Sequence, residues 1–117
     1  RDDLAAMLEA SGVPVILSAG DWDQNARRLR LEAGTAISYG LSRKGALAAL
    51  TKTPAEVFGL LGEVGTIRVG GPATFGLYSA DPFELDTELE ALWISGQPQS
   101  LEDRQRALAK RYLDIKP

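Results

Sequence analysis

The chain has 117 residues, with 16 acidic against 13 basic side chains and a formal charge of −3 at pH 7. Ordinary apolar and charged fractions, 44% and 25%, exclude a disordered polypeptide, and the interleaved charges exclude the basic footprint that nucleic acid or an anionic membrane surface selects. Histidine and cysteine are both absent, which excludes within this chain a Ser-His-Asp triad, an imidazole general base, a histidine-rich zinc site, a thiolate metal site and a disulfide framework.

No apolar run approaches the roughly 20 residues that a membrane helix requires. The sequence opens at Arg1 with neither an initiator methionine nor a signal-like segment, so the expectation is a piece of a longer polypeptide. Leu4, Met7 and Leu8 recur at helical spacing over Asp3–Ala10, and Ser11-Gly12 supplies the stop. Val13-Pro14-Val15-Ile16-Leu17 has strand length and no polar alternation, the signature of a strand buried on both faces in a parallel sheet. A polar loop over Ser18–Asn25 follows. From Asn25 to about Tyr39 the pattern predicts a helix with Leu29, Ala33, Ala36 and Ile37 on one face, ended by Gly40. Ser42 opens a second helix with Ala46, Leu47 and Leu50 on its apolar side. Thr53 is expected to cap a third, with Pro54 at the first helical position and Glu56 completing a capping box.

Gly62 and Gly65 break the helical pattern. Thr66–Val69 then reads as a short strand, Gly70-Gly71-Pro72 as a turn, and Thr74–Ser79 as a second strand. Asp81-Pro82 is another turn, Leu89–Ser95 a third strand, and Leu101–Leu113 a charged terminal surface helix. Gly70-Gly71 is not a phosphate loop, because no Lys-Ser/Thr pair follows and both flanks read as strands.

Thr51-Lys52-Thr53-Pro54-Ala55, then Gly59, Gly65-Thr66-Ile67, Gly70 and Asp81-Pro82, stand in an order that resembles the amidohydrolase superfamily, near its imidazolonepropionase-like members. Upstream, Gly12–Ser18 resembles the family's eighth barrel strand. Asn25-Ala26-Arg27, Leu29-Arg30 and Ala33-Gly34 resemble the helix after it, and Gly40-Leu41-Ser42 with Ala46-Leu47 the next segment. The resemblance runs over residues 5–97. It implies an α/β fold: the C-terminal fragment of a metal-dependent hydrolase (β/α)8 barrel plus returning strands of a small β-sandwich domain. The implied division is 1–62 for the last barrel strand and following helices, 63–97 for strands of the composite β domain, and 98–117 for the surface helix.

The resemblance further implies a parent that hydrolyses non-peptide, often cyclic, carbon–nitrogen bonds with zinc or a similar divalent metal at the barrel's carboxyl face. Histidines from early strands would hold that metal, and an aspartate at the end of the last strand would bind it and shuttle the proton. Only that aspartate falls within this chain, and the candidate for both the catalytic and the metal-binding role is Asp21. Aligned without a gap, however, the family's acid falls on Gly20. Either a one-residue shift turns Asp21 inward, or the acid is missing and the chain belongs to a degenerate paralogue. A second departure is Gly70–Thr74, where the family usually has Gly-Lys-x-Ala-Asp.

Each candidate also has a plain structural reading. Asp21 and Asp23 suit a solvated turn or a helix start, with Asp23 as a cap. Arg27, Arg28 and Arg30 could hold an anion or pair with local acids. Trp22 could line a substrate pocket, while Trp93 reads as core. The functional expectation is therefore an amidohydrolase C-terminal region, inactive alone and binding no metal alone; the alternative is a catalytically dead homologue serving as a partner or scaffold. A small amide-type substrate is expected for the parent, with neither nucleic acid nor membrane as partner. An unpaired strand at Val13–Leu17 adds an expectation of self-association or of pairing with an amidohydrolase paralogue.

Overall fold

A computed structural model describes residues 1–20 and 23–113, with the backbone alone at Asp23 and Gln24. The described residues form α1 (Leu4–Ala10), a 3₁₀ helix (Asp23–Arg28), α2 (Leu29–Ser38), α3 (Arg43–Leu50), α4 (Lys52–Val57), β1 (Phe75–Tyr78), β2 (Leu89–Ile94), β3 (Gln97–Pro98) and α5 (Arg104–Leu113). None of these helices is long and apolar enough to cross a membrane. The fold is an α/β arrangement with a small antiparallel sheet in the order β1-β2-β3.

The helical layer is specified by its ends. At the end of α2, Gly40 adopts φ +102°, donates its N–H to Ile37 O at 3.0 Å, and lets the Leu41 N–H reach Ala36 O at 3.1 Å. This pair of bonds satisfies carbonyls the helix leaves open, and only glycine reaches such a φ without strain. The same two bonds end α1 at Gly12 and α4 at Gly59. At Gly40 the motif also turns Leu41 inward, to 2% exposure, onto Ala33 and Ala46. Those three residues, with Ala5, Leu17, Ala36, Ile37, Leu50 and Phe83 half-buried around them, are the core.

Ser42 caps α3 as expected, its Oγ accepting the Gly45 N–H at 2.8 Å. The expected capping box does not form. Thr51 both ends α3 and starts α4, leaving Thr53 inside the helix, and the Thr51 hydroxyl donates back to Leu47 O at 2.6 Å. Pro54 is still tolerated, because the first bond within the helix is Ala55 N–H to Thr51 O at 3.3 Å, so its missing donor has no acceptor to lose. On α1, Ala5 and Leu8 face inward, whereas Leu4 and Met7 stay 53% and 43% exposed.

Two expected strands are absent among the described residues. Val13–Leu17 is irregular; its backbone bonds to other elements are Val13 N–H to Leu8 O at 2.9 Å and Leu17 N–H to Ala49 O at 3.3 Å. A strand needs a neighbour to pair with, and no other described segment supplies one. Thr66–Val69 is likewise a loop, with Ile67 and Val69 81% and 106% exposed. That loop closes on α4 instead: Arg68 Nη2 donates to Gly62 O at 2.6 Å, and Gly65 approaches so near that an added Cβ would stand 2.6 Å from Ala55 Cβ.

The remaining strands form as expected. Phe75 pairs with Trp93 and Leu77 with Ala91 before a bulge at Leu77/Tyr78. β2 turns into β3 through Ser95 and Gly96, at φ +49° and +78°, and the right-handed twist of the strands favours such left-handed turn residues. The sheet thus ends at Pro98. Asp103 accepts the Arg106 N–H at 2.7 Å and opens α5, later than the expected start at Leu101.

Among the described residues no large side chain is fully buried. A folded monomer of 12.6 kDa exposes about 6,200 Å², so the 9051 Å² found here leaves about 2,900 Å² in excess. Much of the chain's apolar surface is left in contact with water.

Candidate functional site

Asp21, the candidate catalytic acid and metal ligand, and Trp22, the candidate pocket aromatic, lie outside the described residues. Asp23 opens the 3₁₀ helix that precedes α2. Gly20 ends the segment leading to them. It adopts φ +83° with open space where a Cβ would point, so an L-residue such as aspartate fits there sterically but only in a strained backbone.

Three polar ties hold the elements around this segment, and each engages a charged group the sequence offers. Glu9, on α1, accepts the Ser42 hydroxyl at 2.6 Å and the Ser42 N–H at 2.9 Å, joining α1 to the start of α3. The side-chain bond from Ser42, then the backbone bond, holds the Glu9 carboxyl below the usual glutamate range. Arg43 bridges to Asp81 and Glu84, tying α3 to the turn before β2. Glu84, then the charge of Asp81, pushes the Arg43 guanidinium above its ordinary value. Arg30, on α2, donates to Thr87 O at 2.8 Å and lies 5.8 Å from the centroid of the Tyr78 ring, joining helices to sheet.

Arg30 is a structural tie, and it also lines, with Arg27, Arg106 and Leu89, an open groove of about 600 Å³. Trp93 packs on Phe75 with ring centroids 5.1 Å apart, in keeping with a core role. A second groove of about 680 Å³ runs between the helices and the sheet, lined by Arg30, Leu50, Thr66, Phe75, Tyr78 and Phe83. None of the three ties was visible beforehand, since their partners lie 33 to 57 residues apart.

A divalent metal needs several convergent oxygen or nitrogen donors. Among the described residues no group of three or more His, Cys, Asp or Glu side chains comes together to hold one. Glu9, Asp81 and Glu84 are turned instead onto Ser42 and Arg43. The described residues do not fit a metal centre; what they offer is a frame of helices around the 13–20 segment.

A model of the amidohydrolase family matches residues 17–99. The chain belongs to the amidohydrolase family. It is 31% identical over 93 residues to the amidohydrolase tasK of Hapsidospora irregularis, a match covering 80% of this chain and 10% of that protein. The crystal structure of an amidohydrolase from Thermotoga maritima MSB8 superposes with a TM-score of 0.77 at 28% identity, over 83% of this chain and 25% of the other. The chain thus spans about a tenth and a quarter of the two relatives. The matched stretch includes Leu17 and Gly20, so the amidohydrolase likeness takes in the end of the expected last barrel strand as well as helices and sheet.

Proposed function

We propose that this amidohydrolase chain is the C-terminal region of a metal-dependent hydrolase, acting as scaffold for chemistry carried mostly by other polypeptide. Residues 13–17 would complete a (β/α)8 barrel as its last strand, with the helices to residue 62 behind it. Residues 63–97 would contribute strands to a small β-sandwich domain, and α5, at Arg104–Leu113, a surface helix. The parent reaction is hydrolysis of a non-peptide carbon–nitrogen bond in a small amide-type substrate, using zinc or a similar divalent ion, with Asp21 as this chain's ligand and proton carrier.

The observation that carries this reading is the shortage of ligands in a chain of this family: no described cluster holds a metal, and the sequence has no histidine. The purified chain, incubated with stoichiometric zinc and assayed on hydantoin-like and acyl-amide substrates, is expected to show no turnover and to retain no zinc after gel filtration. Metal-dependent turnover, or zinc held wholly by side chains of this chain, would falsify the scaffold reading.

Gly20 favours a second reading, a catalytically dead homologue that serves as a partner or scaffold subunit. Its left-handed backbone is one that aspartate adopts only at a cost, so an acid at this position is not a simple exchange. Metal analysis separates the two readings: a metal in the full-length protein with Asp21 among its ligands removes the second, whereas a metal-free protein co-purifying with another amidohydrolase removes the first.

A further inference from the structure

We propose that the groove lined by Arg27, Arg30 and Arg106 is an anion site whose ligand carries a phosphate group. The sequence marks Arg27, Arg28 and Arg30 as a cluster that could hold an anion. The structure brings two of them, from the 3₁₀ helix and α2, together with Arg106 from the first turn of α5. Glu88 is the one acid among the described residues that line the groove, so three arginines and one glutamate give it a formal charge of +2 in a chain that carries −3. Its volume of about 600 Å³ lies in the range of roughly 300–1,000 Å³ typical of small-molecule sites. A bare phosphate fills only part of that space, so the fitting ligand class is a phosphorylated small molecule.

The polar groups of this groove are short of partners. Among the described residues neither Arg27 nor Arg106 stands in an ion pair. Arg30 gives Nη1 to Thr87 O and lies over the Tyr78 ring, which fixes its position while leaving part of its donor fork unused. Thr87 also lines the groove, is only 3% exposed, and has a hydroxyl without a partner among the described residues. A buried hydroxyl left unpaired is costly, and an oxyanion seated against Thr87 supplies the missing acceptor. Other polypeptide laid over this groove would desolvate guanidinium groups, which is unfavourable unless it brings negative charge, so the demand for an anion does not depend on what else surrounds the chain. A carboxylate brings a single charge. A phosphate monoester brings nearly two at neutral pH, with several acceptor oxygens that match guanidinium forks, and it is the better complement to this groove.

Calorimetric titration of the 117-residue chain with inorganic phosphate in low salt tests this, and it involves neither metal nor turnover. One phosphate should bind per chain, and acetate at the same concentration should not displace it. In NMR spectra the side-chain N–H signals of Arg27, Arg30 and Arg106 should move and those of Arg28 should not, a readout that needs no variant. Arg27→Gln with Arg106→Gln, both at exposed positions, should leave the circular dichroism spectrum unchanged and weaken binding at least about tenfold, the loss expected when charge-assisted bonds are removed. Thr87→Val should weaken it severalfold, and Arg28→Gln should leave it as it was. The same titration on a longer protein that contains this chain decides the source of the anion. Phosphate binding retained there supports a free ligand, whereas its loss there means that carboxylates of the added polypeptide fill the groove, and overturns the proposal. No binding below about 10 mM phosphate, displacement by acetate, undiminished binding in the double variant, or equal weakening in Arg28→Gln also overturns it.

Discussion

Leu41→Ala tests the helical layer at its centre. Leu41 is 2% exposed and is the largest residue in a buried cluster whose other members are Ala33 and Ala46. Losing its side chain removes apolar contact and leaves a cavity, and measured losses for buried leucines run from about 2.7 to 5 kcal/mol. Collapse around the cavity is limited, because alanines on α2 and α3 have no long side chains to swing in. Ile37, Leu50 and Phe83 are half-buried nearby and give partial relief. We expect a loss of about 3 kcal/mol, a shift of more than a hundredfold in the folded-to-unfolded ratio. Urea unfolding followed by circular dichroism should show a lower midpoint at unchanged slope. Leu47→Ala is the control: at 51% exposure it should cost less than about 1 kcal/mol. Equal losses in the two variants would refute the claim that this layer is organised around Leu41.

Glu9 has its folded pKa held below the ordinary value, so the stability it contributes is present above the unfolded pKa and is lost as pH falls through the folded one. Glu9→Gln should therefore lower the urea midpoint at pH 6 and flatten its decline on acidification; an unchanged acid limb counts against the Ser42 clamp. Gly65→Ala should cost more than Gly20→Ala, which pays only about 1–2 kcal/mol of backbone strain, because at Gly65 the new methyl also meets Ala55 and the Thr51 carbonyl; thermal melts of both variants decide it. Thr87 is 3% exposed and its Oγ1 has no hydrogen-bond partner, so Thr87→Val should be neutral or stabilise by about 1 kcal/mol in the same melts. Arg43→Gln, at a half-exposed ion pair, should cost no more than about 1 kcal/mol, and less still in 1 M salt.

Features set by neighbouring residues were legible in the sequence. Gly12 and Gly40 end helices, Ser42 starts one, and Phe75–Tyr78 and Leu89–Ile94 are strands, because caps, turns and hairpin pairing act within a few residues; α4 instead stops at Gly59, ahead of the expected break at Gly62 and Gly65. The misplaced cap at Thr53 failed for want of a gap: α3 runs into α4 through Thr51, and no pattern of spacing separates two helices that share a residue. The signal for β3 is Ser95-Gly96, a two-residue hairpin turn of the kind that Ser-Gly pairs mark. Of the candidate site, the role of Arg30 was not legible, because it finds its acceptor 57 residues away.

Val13–Leu17 and Thr66–Val69 failed for a reason that bears on function. Both have strand composition, yet a strand is a relation between two segments, and neither finds its partner in the described residues. The helices around them are specified by their own end motifs, while these two stretches leave Val13, Ile16, Ile67 and Val69 facing water. Such a division is costly for a chain acting alone, since exposed apolar edges invite unwanted pairing. It is useful for one that is completed by other polypeptide, because the helices then present 13–17 and 57–69 already in place. This difference also explains why the ties at Ser42, Arg43 and Arg30 matter more than the grooves: they fix the frame on which any later chemistry depends.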